Sequence, residues 1–345
     1  DIRPVSDQLG EVKLIRHSSK AMEMAVVEDM MSVNAEGTTC ILTHTNREAL
    51  LLLGILKQKR VPAKLIQSMD GFDIYDIAEI RFFLRKLISD KENPVISDQR
   101  WQDAMDALEK RYRNSACLPV ILSILHTFEE TNERKYRTDL EMFLHESKIE
   151  DFYTDEQGVI TISTMHKSKG REFDNVYMMI NHADMESDEE KRKLYVAMTR
   201  SKKRLHLHYF GNTFDRFAPY ASDVKYDEQS YSQPAELILQ LSHKDVYLDF
   251  FKGKTDLIFR QMHLKSGDHL AVDNYQLYGQ VDDKVRPVLQ FSAKCNKDIN
   301  EFMKSGYYPY DAVIRYICAW KGKEDTEETA VILADIHLHK NQGKG

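Results

Sequence analysis

Residues 160–177 read Ile-Thr-Ile-Ser-Thr-Met-His-Lys-Ser-Lys-Gly-Arg-Glu-Phe-Asp-Asn-Val-Tyr, and residues 193–205 read Lys-Leu-Tyr-Val-Ala-Met-Thr-Arg-Ser-Lys-Lys-Arg-Leu. The first string opens with an alternating pattern that predicts a buried strand ending near residue 163. A basic loop follows, which contains Lys167, Lys169 and Arg171. Gly170 in this loop permits a tight turn and close approach of the backbone to a ligand. Because open α/β sheets bind ligands where their strands end, we predict a ligand site at this loop.

The second string predicts a helix from about residue 188 to residue 199. Ser187 and the three acidic residues after it suit the N-terminus of a helix, and the basic cluster that begins at Arg200 suits its C-terminus. Leu194, Ala197 and Met198 supply an apolar face, which leaves Arg200 to project from the helix end. A purely structural helix would satisfy the same pattern.

Together, the two strings closely resemble the fifth and sixth motifs of UvrD/Rep-type superfamily 1 DNA helicases. Residues 41–47, Ile-Leu-Thr-His-Thr-Asn-Arg, resemble the fourth motif, and residues 71–80 resemble more weakly the segment that follows it. These landmarks occur in the order found in the family. The resemblance covers about residues 11–210 and implies the C-terminal portion of such an enzyme, which contains its second RecA-like motor domain.

The resemblance also implies a role for each candidate residue. Arg200 would be catalytic, because an arginine placed on a γ-phosphate stabilises the charge of the transferring group. Gly170 would lie near the nucleotide phosphates, and Glu172 would hold the ribose. The residues expected to face single-stranded DNA are Thr164, His166 and Lys167.

His44 stands where the fourth motif of the family carries an arginine that contacts the γ-phosphate. An imidazole is a weak substitute for a guanidinium with its fixed fork of donors. Either Arg47, one helical turn along, takes over this part of the nucleotide site, or catalysis relies more heavily on Arg200. In a third interpretation, Asn46 caps the following helix and His44 is merely packed.

The strand and helix patterns predict an α/β fold in which residues 1–90 and 156–215 form a RecA-like parallel-sheet domain, of the P-loop NTPase fold but without the P-loop. Residues 91–155 have helical periodicity and predict a small helical insertion. Residues 216–233 have little periodicity and predict a linker. Residues 234–345, with strand patterns such as 246–251 and a helix near residues 297–304, predict a β-rich accessory domain.

Two groups of residues could contact nucleic acid or could be structural. The aromatic side chains of residues 234–345 suit base stacking, although the core of a small β-barrel explains them better. The basic residues of the helical insertion could contact phosphate or form a solvated surface; they are Arg111, Arg113, Arg134, Lys135 and Arg137.

Composition limits the function classes. The chain of 345 residues has a formal charge of -7, so any nucleic-acid contact must be local, because proteins that coat nucleic acid are usually basic overall. Its four cysteines form no C-x-x-C pair, which favours reduced core residues of a cytoplasmic protein over a metal site. The longest apolar run, residues 49–56, is too short to cross a membrane. The first residue, Asp1, is not Met, which suggests a piece of a longer protein.

The expected function is ATP-driven translocation on single-stranded DNA and duplex unwinding, with 3′ to 5′ polarity implied by the resemblance. ATP and Mg²⁺ would bind in the full-length parent, between this domain and a missing N-terminal ATP-binding motor domain, because the sequence has no complete Gly-rich phosphate loop. The fragment alone would bind no cofactor and hydrolyse nothing. The alternative is a non-catalytic DNA- or protein-binding module with a helicase-like fold, appended to another motor.

Overall fold

A computed structural model describes residues 10–33, 36–66, 71–87, 94–152, 158–181, 187–232, 234–251, 263–281, 283–321 and 328–341. The strands are β1 (Glu11–His17), β2 (Thr39–Thr43), β3 (Ala63–Leu65), β4 (Val95–Ile96), β5 (Lys135–Tyr136), β6 (Ile160–Thr164), β7 (Phe173–Ile180), β8 (Ser201–Phe210), β9 (Asp223–Asp227), β10 (Glu236–Gln240), β11 (His269–Asp273), β12 (Gln276–Val281), β13 (Lys284–Gln290), β14 (Tyr307–Trp320) and β15 (Thr329–Lys340). The helices are α1 (Glu23–Ser32), α2 (Asn46–Gln58), α3 (Ala78–Leu87), α4 (Asp98–Tyr112), α5 (Leu118–Thr131), α6 (Arg137–Glu146), α7 (Asp188–Met198) and α8 (Ala293–Lys304). The chain divides into two compact units, Asp1–Gln67 with Thr154–Leu237, and Ser68–Tyr153 with Ile238–Gly345.

The first unit is built on a parallel sheet with the strand order β3-β6-β2-β7-β8-β1-β9. Every residue of the central strand β2 is buried, as expected for a parallel sheet that is covered on both faces. Helices α1 and α2 cover one face through side chains such as Val26 and Leu52. Helix α7 covers the other face through Leu194 and Ala197. This RecA-like arrangement confirms the predicted fold class.

Capping side chains fix where two helices near the candidate site begin. The Thr45 hydroxyl accepts from the backbone N–H of Glu48 at 3.2 Å, and the Glu48 carboxylate accepts from the backbone N–H of Thr45 at 2.9 Å. This capping box starts α2, so Thr45 is the N-cap and Asn46 is the first helical residue. Ser187 accepts from the backbone N–H of Glu190 at 3.3 Å and starts α7, as its sequence indicates.

The segment predicted as a linker, residues 216–233, contains strand β9. This strand pairs in parallel with β1 and extends the sheet at its edge. Most of its side chains are exposed, so the sequence carries no apolar alternation that would reveal a strand. Tyr226 lies under the guanidinium of Arg16, 5.5 Å from ring centroid to Cζ, which ties the edge strand to its neighbour.

The second unit combines α3–α6 with an antiparallel sheet of strand order β10-β15-β14-β11-β12-β13. The short strands β4 and β5 pair with each other. The predicted strand at residues 246–251 is replaced by two 3-10 turns, His243–Asp245 and Leu248–Phe251. Val246 forms an isolated bridge to Phe291, just beyond β13, and the N–H of Tyr247 donates to the carbonyl oxygen of Gln290 at 2.8 Å. The β-rich character expected for the C-terminal region is present.

The boundaries of the compact units differ from the predicted domain boundaries. Helix α3 was expected in the motor domain, but it groups with the helical insertion and the C-terminal sheet. Its Phe83 packs edge-on against Trp101 of α4, with ring centroids 5.0 Å apart. Ile77 forms a bridge with Cys318 of β14, and the Ala116 N–H donates to the Ser266 carbonyl at 2.8 Å. These tertiary contacts between distant segments are invisible in local periodicity.

Candidate functional site

Backbone hydrogen bonds hold the loop that follows β6. The carbonyl oxygen of Thr164 accepts from the N–H groups of Lys167 at 3.0 Å and Ser168 at 3.1 Å. The buried hydroxyl of Ser168 donates to the carbonyl oxygen of Met165 at 2.8 Å. The N–H of Met165 donates to the carbonyl oxygen of Thr43 at 2.9 Å. The start of the loop is therefore fixed to the carboxyl end of β2.

The three candidate DNA-binding residues differ in exposure. Thr164 is buried, and its Oγ1 accepts from the backbone N–H of Lys167 at 3.4 Å. His166 is exposed. The half-buried Lys167 donates from Nζ to Oδ1 of Asn46 at 3.2 Å. Of the three, His166 is the most accessible to a ligand, while Thr164 shapes the turn that presents it.

Gly170 and Glu172 lie at the far end of the same loop, just before β7. The backbone of Gly170 has φ +85°, a conformation that side chains rarely adopt, and a Cβ placed there would meet nothing within 4 Å. Glycine is therefore required by the backbone and not by crowding, and open space remains in front of it. The exposed Glu172 forms an ion pair with Lys202, with Oε2 3.4 Å from Nζ.

Arg200 is held beside this loop by three hydrogen bonds. Its Nε donates to the carbonyl oxygen of Val196 at 2.8 Å, and Nη1 donates to the carbonyl oxygen of Arg171 at 3.1 Å. Its Nη2 donates to Oγ1 of Thr199 at 3.1 Å. The carbonyl oxygen of Arg200 accepts from the N–H of Phe173 at 2.8 Å. These bonds use three of the five N–H groups of a guanidinium, and they fix its plane while the side chain stays half-exposed.

His44 belongs to a different cluster, at the carboxyl end of β2. Its ring nitrogen Nε2 lies 2.9 Å from Nζ of Lys193, and its Nδ1 lies 3.5 Å from Oε1 of Glu190. The backbone N–H of His44 donates to Oε2 of Glu48 at 3.0 Å, and Oε1 of Glu48 accepts from Nδ2 of Asn181 at 2.6 Å. His44 thus takes part in a network that joins the start of α2 to the start of α7.

The structure separates the predicted nucleotide-binding residues into two groups. Gly170, Glu172 and Arg200 lie together at the amino ends of β7 and β8, where these strands are paired. His44 and Arg47 lie at the carboxyl end of β2. Helix α7 runs between the two ends of the sheet and has a length of about 16 Å at its usual rise per residue. The loop from residue 164 to residue 172 also runs between them.

Comparison with known proteins adds an independent observation. Residues 96–212 match the family model of the UvrD-like helicase C-terminal domain. The ATP-dependent DNA helicase Rep of Buchnera aphidicola subsp. Schizaphis graminum (strain Sg) is 28% identical over 113 residues, an alignment that covers 28% of this chain and 15% of that protein. The chain thus matches only a small part of the length of this curated relative.

The match confirms the UvrD/Rep-type recognition made from the two motif strings. It includes Gly170, Glu172 and Arg200, and it ends just beyond β8. The segment around His44 and Arg47 lies outside it. The matched segment therefore contains the amino-end group of candidate residues, and the carboxyl-end group depends on the sequence resemblance alone.

Sequence reasoning missed a buried polar network next to α1. Asp29 bonds through Oδ1 to Nζ of Lys13 at 2.6 Å, and through Oδ2 to Nδ1 of His206 at 2.5 Å and Nε2 of His208 at 3.3 Å. Nδ1 of His208 in turn lies 3.0 Å from Nε2 of His17. One sequence feature could have indicated this network: His206 and His208 are two positions apart in β8, and alternate residues of a strand share one face.

Burial controls the titration of this network. Desolvation, aided by His208, lowers the pKa of His17 to about 4. Desolvation also lowers the pKa of His208. Burial alone would raise the pKa of Asp29, but hydrogen bonds from His206, His208 and Lys13 outweigh it and hold that pKa far below the usual range. His17 and His208 are thus neutral and the Asp29 carboxylate is ionised at pH 7.

The described residues contain no cluster of three or more His, Cys, Asp or Glu side chains that could hold a metal ion. No helix in the described ranges is long and apolar enough to span a membrane.

Proposed function

We propose that this chain supplies the second motor domain of an ATP-dependent DNA helicase. One observation carries the proposal: Arg200 is fixed by hydrogen bonds beside the loop that contains Gly170 and Glu172. Sequence order alone does not bring these residues together, since about thirty positions separate them. Their juxtaposition at one end of a RecA-like sheet supports the part of the nucleotide site that the helicase resemblance assigns to these three residues, whereas His44 and Arg47 lie at the other end.

The residues of the amino-end group have the chemistry that ATP requires from this side. Gly170 leaves space for a phosphate near the backbone, and Arg200 offers a fixed cation. The exposed carboxylate of Glu172 can accept hydrogen bonds from ribose hydroxyls. When bound, ATP would supply the phosphoryl group on which charge develops, and Arg200 would stabilise that charge. The phosphate loop and the ligands of Mg²⁺ would come from the N-terminal motor domain of the full-length parent.

The loop after β6 would contact single-stranded DNA at its other end. His166 and Lys167 are accessible there, and Thr164 fixes the turn that carries them. Because one loop joins the DNA group to the nucleotide group, a change at Gly170 or Glu172 can alter the position of His166. We propose that this connection couples ATP turnover to movement along single-stranded DNA in the 3′ to 5′ direction, and to duplex unwinding, in a cytoplasmic enzyme.

The test is the rate of DNA-stimulated ATP hydrolysis by the full-length parent. An Arg200→Ala variant should lose about a thousandfold in rate, the lower range for a γ-phosphate arginine. Arg192→Ala is the matched control, because Arg192 is an exposed arginine on α7, the helix that ends just before Arg200. An unchanged rate in Arg200→Ala, with normal folding, would overturn the proposal.

A second candidate is a non-catalytic DNA- or protein-binding module appended to another motor. The observation that favours it is the engagement of His44 with Lys193 and Glu190, at the position where the resembled motif carries an arginine. In that case ATPase activity of the parent would be insensitive to Arg200→Ala and would depend on an unrelated domain. The same experiment therefore separates the two candidates.

A further inference from the structure

The second unit contains an open pocket of about 680 Å³ bounded by α3, α4, β14 and β15. Its floor is apolar, because Leu84, Leu264 and Ile317 are buried there and Ala319 and Ala330 lie beside them. The volume is in the usual range of small-ligand sites. The pocket can therefore accommodate a flat group of the size of a nucleobase.

The rim of this pocket is basic. Four of its charged side chains are cationic and one, Glu328, is an acid that is already paired with Arg81. Arg85 and Lys86 are exposed, and neither has a carboxylate within ion-pair distance among the described residues. Arg111 from α4 completes the set. In a chain of charge -7, this is a local positive patch that attracts an anion.

Three aromatic side chains line the same pocket: Tyr75, Phe82 and Tyr112. The cations lie against these rings. Nζ of Lys86 is 5.5 Å from the ring centroid of Phe82, and Cζ of Arg111 is 5.8 Å from it. Cζ of Arg81 is 5.0 Å from the ring centroid of Tyr75. Apolar floor, aromatic rings and cations are thus combined at one place.

We infer that this pocket binds single-stranded nucleic acid, with one base on its floor and aromatic side chains and the adjoining phosphates on its cations. Proteins that bind single strands without sequence preference combine these same groups. Cations approach Phe82 from two helices, α3 and α4, and a base within a strand carries a phosphate on either side. The Tyr75 ring already stacks on His145, with ring centroids 4.3 Å apart, so Phe82 and the apolar floor would receive the base. An acidic peptide such as oligoglutamate would satisfy the charges but would place no apolar or aromatic group on that floor.

The inference goes beyond the proposed motor function and does not depend on it. None of the pocket residues belongs to the loop of residues 164–172 or to α7. The structure distinguishes those basic residues of the helical insertion that are held in ion pairs from one that faces the pocket. Lys135 is buried between Asp98 and Glu129, and Arg137 pairs with Glu141, whereas Arg111 faces the pocket.

Photo-crosslinking of the 345-residue chain locates the site directly. The probe is a single-stranded oligothymidine of about 16 nucleotides, within the site sizes of single-strand binding domains, in which one thymine is replaced by 5-iodouracil. Mass spectrometry should place the crosslink on Tyr75, Phe82 or Tyr112. Crosslinks confined to residues 164–172 would overturn the inference.

Fluorescence anisotropy with the same oligonucleotide tests the phosphate contacts. The Arg85→Ala/Arg111→Ala variant should bind at least tenfold more weakly, and the slope of log affinity against log salt should fall by about 1.4, the value for two lost single-strand phosphate contacts. The matched control is Lys110→Ala/Arg113→Ala, which removes the same charge from exposed positions outside the pocket. Equal weakening by both double variants would refute a specific pocket.

A His166→Ala/Lys167→Ala background separates this site from the proposed DNA loop. Residual binding in that background should still fall when Arg85 and Arg111 are replaced. If binding vanishes in the background alone, all of it belongs to the loop, so the pocket inference fails while the proposed function stands. Free thymidine monophosphate and an oligoglutamate peptide should each displace the labelled oligonucleotide only weakly. If either displaced it as effectively as the unlabelled oligonucleotide does, the assignment to a single strand would be overturned.

Discussion

The first unit contains two groups of charged side chains that are held in opposite ways. The group around Asp29 is buried, and its members bond to one another: the carboxylate takes a lysine and two histidines, and His17 bonds to His208. Arg200 is half-exposed and bonds mainly to backbone carbonyl oxygens, so its charge has no acidic partner in these contacts. The charges of the buried group are compensated within that group. Arg200 is also fixed in place, but its charge remains available to a ligand.

This difference bears on how functional residues are recognised. Large pKa shifts often mark catalytic sites, but buried structural networks shift pKa values too. Here the lowered pKa values of His17 and Asp29 belong to a network in which the lysine and histidine side chains are buried and Asp29 is nearly so. Arg200 and Gly170 are proposed as functional residues from their position and backbone geometry instead. The two groups should therefore respond in opposite ways when they are mutated, one in stability and the other in activity.

The largest expected effect on stability is that of Asp29→Ala. The change leaves Lys13 buried without its carboxylate, and breaking a buried ion pair in this way costs about 3–5 kcal/mol of unfolding free energy. Urea unfolding followed by far-ultraviolet circular dichroism measures it. Both tryptophans, Trp101 and Trp320, lie in the second unit, so their fluorescence reports separately on that unit.

Glu28→Ala is the matched control for this prediction, because Glu28 is the exposed neighbour of Asp29 on α1. Its unfolding free energy should stay within about 0.5 kcal/mol of the parent value. Equal unfolding free energies for Asp29→Ala and Glu28→Ala would show that the network contributes nothing, and the proposed contrast with Arg200 would be lost.

A smaller effect is expected from pH acting on His17. Its folded pKa of about 4 lies below the ordinary value of 6.5, so between these values the unfolded chain binds a proton that the folded chain does not. Stability from neutral His17 is therefore complete above pH 6.5 and is lost as pH falls towards 4, by up to about 3 kcal/mol at 1.36 kcal/mol per pKa unit. His208, Asp227 and Asp29 face this imidazole and share in the transition.

The measurement is the difference in unfolding free energy between the parent and His17→Asn, followed from pH 7.5 to pH 4. Taking this difference removes the contributions of other titrating groups. The gap between the two proteins should change across the window between pH 6.5 and pH 4. A constant gap would mean that His17 has the same pKa in the folded and unfolded chains.

Much of the first unit was predictable because its signals are local. The residue range of β2 follows from an apolar run between polar turns, and the start of α7 follows from Ser187. The edge strand β9 was not predictable, since its side chains are exposed and its pairing with β1 joins residues about 210 positions apart. The Asp29 network and the attachment of α3 to the second unit were not predictable for the same reason, because both depend on contacts between residues far apart in the sequence.

The candidate site was predictable only in part, and for a related reason. The motif strings identified Gly170, Glu172 and Arg200, and the structure places them together. They also grouped His44 with these residues, whereas His44 lies at the carboxyl end of β2, because a resemblance assigns residues to one site without regard to the strand end that each occupies. They could not reveal the pocket of the second unit, which side chains from five segments of the chain create.

The smallest expected effect on stability is that of Arg200→Ala, and it gives the comparison its sharpest test. The carbonyl oxygens of Val196 and Arg171 accept hydrogen bonds from a half-exposed guanidinium, so water can replace it. The loss of unfolding free energy should be below about 1 kcal/mol. Leu194→Ala, on the same helix but buried, should lose about 2–5 kcal/mol and shows that the assay detects damage to α7.

If Arg200→Ala is as destabilising as Asp29→Ala, the main role of the guanidinium is to stabilise the packing of the loop before β7 against α7. A fall in ATP hydrolysis would then follow from misfolding of that loop and would say nothing about the γ-phosphate. If stability is nearly unchanged while hydrolysis falls about a thousandfold, the charge of Arg200 acts on the reaction. Arg200→Lys separates these cases further, because lysine keeps the charge but cannot reproduce the fork of donors that reaches both carbonyl oxygens.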